Sequence, residues 1–166
     1  NFKALRFLSR PIGTWLLFSN FRNKGYKYQI SVAKVDLPNF RFSEARVLMT
    51  VPGIQDLFTD SGLPFELRTS PDGNVTAVYF DRFKKKDNQQ PVSIQVFDRD
   101  LQPKWNMNFL VDDPERGQAT KLRVANDGTV YVLRRSLNKQ VGVGYEPDSK
   151  IRLFRFTPTG AQGVTI

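Results

Sequence analysis

Two stretches decide the reading of this chain: FELRTSPDGNVTAVYF, Phe65 to Phe80, and TKLRVANDGTVYVLRR, Thr120 to Arg135. They superpose without gaps at an offset of 55, with Leu67-Arg68 on Leu122-Arg123, Asp72-Gly73 on Asp127-Gly128, and Val75 on Val130. After a polar loop each is followed by a second matching segment, SIQVFDRDLQPKW from Ser93 and KIRLFRFTPTG from Lys150, now at an offset of 57. A weaker third copy lies upstream, where RPIGTWLLFS (Arg10 to Ser19) replaces SPDGNVTAVY and ISVAKVDL (Ile30 to Leu37) mirrors IQVFDRDL (Ile94 to Leu101). Internal periodicity on this scale is the mark of a repeat architecture.

Each copy reads as strands. Val92, Ile94 and Val96 alternate with Ser93 and Gln95, and Ile151 and Leu153 alternate with Lys150 and Arg152, the two-residue period of a half-buried strand. Asp-Gly at 72–73 and 127–128 tolerates the positive φ of a tight hairpin turn. One copy then holds four strands: Phe65 to Ser70, Asn74 to Phe80, Val92 to Asp98 and, after the DRDLQP turn, Lys104 to Val111. The best helix candidate is a single turn at Gly53 to Phe58. The reading is an all-β domain of three four-stranded antiparallel blades of a β-propeller, over about 1–51, 63–111 and 119–166. The alternative is a lipocalin-type eight-stranded barrel, suggested by the chain length and the Gly13-x-Trp15 triplet.

The pattern of PDG or NDG, then a V-x-x-V-Y or TVYVL strand, then IQVFD or IRLF, resembles the NHL-like class of β-propeller repeats. It is also similar to propeller portions of large secreted bacterial proteins. The resemblance covers about Pro11 to Gly160. It implies a periplasmic, outer-membrane-associated or secreted setting, and an innermost position for the first strand of each blade. The loops at Asp81 to Gln90 and Ser136 to Ser149 are longer than in ordinary NHL repeats, and the first copy lacks the Asp of the Asp-Gly turn.

Composition narrows the chemistry. The chain has 166 residues with Cys 0 and His 0, which removes thiolate nucleophiles, disulfides, Cys/His zinc sites and imidazole general bases. No run of 18 apolar residues is present, so no transmembrane segment is expected. The first residue is Asn1, and the opening NFKALRFLSR does not read as a signal peptide, so the chain reads as an excised piece of something longer. Three blades do not close a ring, which implies further blades or self-association through exposed terminal blades.

The net charge is +9, unevenly spread. Residues 1–50 carry nine basic against two acidic side chains, residues 51–120 eight against eleven, and residues 121–166 eight against three. That distribution disfavours a continuous nucleic-acid groove. Lys84-Lys85-Lys86 and Arg134-Arg135 read as solvated loop and strand ends. Tyr26 and Tyr28 read as cross-strand packers. Asp98-x-Asp100 and Asp112-Asp113 read as turns, and Gly142-Val143-Gly144 as a loop, so no metal and no cofactor is expected.

Arg68 and Arg123 are the candidate binding residues. The repeat sets them at equivalent positions on first strands, where the innermost position implied by the resemblance lets two guanidinium groups hold an anion in a central funnel. The competing reading pairs them with carboxylates such as Glu66. No catalytic constellation is visible. The function expected from sequence is a non-catalytic binding or scaffold module for protein or anionic glycan, with a lipocalin-like carrier of a small hydrophobic ligand as the alternative.

Overall fold

The computed structural model describes residues 2–10, 13–22, 27–52, 65–81, 89–112, 118–135 and 151–166. Among them every regular element is a strand, and the strands form three separate antiparallel sheets. The turn expected at Gly53 to Phe58, the Lys84-Lys85-Lys86 run, Tyr26 and the Gly142-Val143-Gly144 loop lie outside the described residues. The chain divides into two compact units, Asn1–Pro64 and Phe65–Ile166.

The first unit is one sheet. β1 (Phe2–Arg10) pairs with β2 (Gly13–Arg22), which pairs with β3 (Lys27–Asp36). The far edge of β3 is shared by β4 (Arg41–Phe42) at one end and β5 (Arg46–Pro52) along the rest. Leu17, Ile30 and Val32 are buried on one side of this sheet; Ala33 and Val35, at alternate positions of β3, are buried on the other.

The second unit holds two four-stranded sheets of identical order. One runs β6 (Phe65–Thr69), β7 (Thr76–Asp81), β8 (Gln89–Phe97), β9 (Pro103–Asp112). The other runs β10 (Gln118–Val124), β11 (Val130–Arg135), β12 (Ile151–Thr157), β13 (Gly160–Thr165). Each is a sequential meander, the construction of a propeller blade. An eight-stranded barrel requires one ladder closed on itself. Here the ladders end between β5 and β6 and between β9 and β10, so the sheets are open and the barrel alternative is corrected.

The core of the second unit lies between its two sheets. Directly opposed residues share a face, so Ala77 lies with Val96 and Tyr79 with Ile94 on one face of the β6–β9 sheet. Leu122, Val132 and Phe154 line the facing side of the β10–β13 sheet. All seven belong to one buried apolar cluster, and Phe109 reaches across to Phe154 and Phe156 with ring centroids 6.4 and 5.9 Å apart. Each fully buried Ile, Val or Phe contributes about 1.5–3 kcal/mol. An exposed pair such as Arg99–Asp100, at 3.6 Å, contributes about 0–1 kcal/mol, so burial dominates.

The gapless repeat hides a slip. Ser70 N donates to Val75 O, whereas Ala125 N donates to Thr129 O, so the first turn is one residue longer. Register then sets Leu67 opposite Val78 and Leu122 opposite Val132. The structural counterpart of Arg134 is therefore Phe80, not Tyr79. This explains why Arg134 is 1% exposed rather than solvated: it fills a core position between the sheets, and its Nη1 donates to Tyr79 Oη at 3.0 Å.

Candidate functional site

Arg68 lies on β6 opposite Ala77, hence on the face packed against the neighbouring sheet. Its Nη2 is 2.7 Å from Glu66 Oε1, and its Nη1 donates to Leu67 O at 3.0 Å. Glu66 and Arg68 are two apart on one strand and so share a face. That short ion pair neutralises the guanidinium locally.

Arg123 lies on β10 opposite Tyr131, one residue along from Leu122, and so on the other face of its sheet. Both arginines point the same way relative to their own sheets. The β10–β13 sheet covers Arg68's face, while Arg123 is exposed. The sheet thus stands between the two groups, and the structure does not bring them to one point.

What register does bring together is a row on that second face. Arg123 opposes Tyr131 on β11, Tyr131 opposes Arg155 on β12, and Arg155 opposes Gln162 on β13. Opposed side chains have Cβ atoms about 4.5–5.5 Å apart, so two arginines flank one tyrosine across the strands. Arg123 and Arg155 are exposed and Tyr131 is half-buried. Arg155 is close enough to Asp127 to help lower its pKa, after the larger effects of hydrogen bonds from the Thr129 backbone and hydroxyl. Spacing in the sequence showed Arg123 but not the row, because Arg155 joins it only through strand pairing.

A second concavity lies in the first unit: an open groove of about 540 Å³ whose lining includes Gly13, Lys34, Asp36, Arg41 and Phe42. Lys34 Nζ sits 5.8 Å from the centroid of the Trp15 ring. Gly13, at φ +138°, leaves room for that lysine, since a Cβ there would meet Lys34 Cε at 3.1 Å. Among the described residues no group of three or more Asp or Glu side chains is placed to hold a metal ion.

No family model and no curated protein matches the chain. Solved structures do resemble it. A variant of the Synechocystis apocarotenoid oxygenase matches at TM-score 0.48 and 10% identity, over 97% of this chain and 38% of that one. A second variant matches at 0.48 and 11% over the same shares, and a chimera of that oxygenase with RPE65 matches at 0.45 and 10%, over 92% and 35%. The chain therefore spans well under half the length of these structures.

The expectation of a non-catalytic binding or scaffold module, and of a chain outside enzymes, is corrected here. Those solved structures are variants of an oxygenase and a chimera of it, which stands against that expectation. The lipocalin-like carrier falls with the barrel, since open sheets enclose no calyx.

Proposed function

We propose that this chain forms the ligand-recognition part of a larger propeller, taking an anionic ligand on the β10–β12 face through Arg123, Tyr131 and Arg155. The single observation that supports it is the cross-strand row of two exposed arginines on either side of one tyrosine. Such an arrangement suits an aromatic carboxylate, whose ring packs on the phenol while its carboxylate oxygens accept charge-assisted hydrogen bonds from the guanidiniums. Arg68 has no part in it, because Glu66 already occupies its guanidinium. With His 0 and Cys 0, any chemistry on the bound ligand draws on other residue types or on residues beyond this chain.

An envelope or secreted setting accompanies this reading and rests on the resemblance to NHL-like repeats alone. Self-association through the same face is a second reading, favoured by Val164 on β13, which is 63% exposed. Titration calorimetry with benzoate and with inorganic phosphate tests the first. Arg123→Gln and Arg155→Gln are each expected to weaken benzoate binding about tenfold to a hundredfold, in line with about 1.5–3 kcal/mol for a hydrogen bond to a charged group. Arg68→Gln is expected to leave it unchanged. Equal affinity in all three variants, or a dimer in light scattering that Val164→Lys dissociates, removes the reading.

A further inference from the structure

Two turns in the chain share one backbone conformation. Leu101, at φ 60°, donates its N–H to Asp98 O at 3.1 Å; Phe40, at φ 52°, donates to Leu37 O at 3.4 Å. A large apolar residue at positive φ is uncommon and strained. At Leu101 burial offsets the strain, since the side chain is 0% exposed. At Phe40 burial does not: among the described residues the side chain is 82% exposed, flanked by Leu37 at 52% and Phe42 at 55%. Asn or Gly would serve the turn better, so the observed outlier points to use of the ring outside the fold.

The surroundings say what environment it suits. Several polar groups at and beside the tip have internal partners: Asn39 Nδ2 donates to Asp36 Oδ2 at 2.8 Å, Ser43 N to Lys34 O at 2.9 Å, and Lys34 N to Ser43 Oγ at 2.9 Å. Those groups keep their partners when the tip leaves water. Lys34 and Arg41 line the same groove as Leu37 and Phe42. Residues 1–50 carry nine basic against two acidic side chains, Asp36 and Glu44, and Asp36 is held by Asn39. Exposed apolar rings beside cationic side chains match the interface of a bilayer bearing negative headgroups.

We propose that the Leu37–Phe42 hairpin tip docks on the surface of an anionic lipid bilayer, Phe40 entering the headgroup boundary while Lys34 and Arg41 meet lipid phosphates. The tip belongs to the first unit, and Arg123, Tyr131 and Arg155 to the second. The test is co-sedimentation of the protein with vesicles of phosphatidylcholine containing phosphatidylglycerol, against phosphatidylcholine alone. Binding is expected to the first mixture and to weaken with salt. Phe40→Asn, which suits the backbone of the turn, is expected to keep the fold by circular dichroism and to lower partition about tenfold or more. Phe40→Trp is expected to bind as well as the parent, with blue-shifted emission. Absence of binding by the parent protein overturns the proposal. So does undiminished binding by Phe40→Asn, or a dimer in light scattering that Phe40→Asn dissociates while vesicles fail to bind.

Discussion

Asp72 and Asp127 tie the two Asp-Gly turns to their own strands. Asp72 accepts from the Ser70 hydroxyl and from the backbone and side-chain nitrogens of Asn74; Asp127 accepts from the backbone and hydroxyl of Thr129. These bonds favour the ionised form and hold both carboxyls below the usual carboxylate range, led by Ser70 for Asp72 and by the Thr129 backbone for Asp127. A carboxyl depressed on folding contributes stability that is fully present above its unfolded pKa and is lost as pH falls through the folded value. The expected outcome is a melting temperature that drops as pH falls below about 4, with a smaller drop in Asp72→Asn and Asp127→Asn because those variants have already lost the ionised acceptor. Thermal melts at several pH values check this. Both aspartates were legible in the sequence, since Asp-Gly between alternating strands has a local physical meaning that distant residues do not alter.

At the level of strands, one turn residue changed the meaning of a side chain. The extra residue between Ser70 and Val75 shifts β7 by one against the repeat, and a shift of one sends alternate side chains to the opposite face. Arg134 thereby takes the core position that Phe80 takes in the sheet before it. Replacing a buried charged group by an apolar one of similar volume is often neutral, while truncating it leaves a void and an unmade hydrogen bond. Arg134→Met is therefore expected to change stability by less than about 1.5 kcal/mol, and Arg134→Ala to lower it by about 3 kcal/mol. Urea unfolding followed by far-ultraviolet circular dichroism separates the two. The sequence could not show this burial, because a gapless match carries no information on which carbonyl each turn N–H selects.

At the scale of the molecule, the two sheets of Phe65–Ile166 share one apolar cluster. Their turns also touch, Asp72 N donating to Asn126 Oδ1 at 3.3 Å. Residues 65–166 expressed alone are expected to keep their β signature and unfold in one transition. Residues 118–166 alone are expected to be unfolded, since Leu122, Val132 and Phe154 lose the sheet that covers them. Circular dichroism and urea titration of both fragments check this. Strands, turns and the repeat followed from the amino-acid order, because strand alternation and Asp-Gly turns act over a few residues. The open sheets, the buried Arg134, the separation of Arg68 from Arg123 and the gathering of Arg155 beside Tyr131 were decided only by tertiary structure. Each depends on register and sheet pairing between residues far apart in the chain, and a period of two leaves the choice between faces to a single residue in a turn.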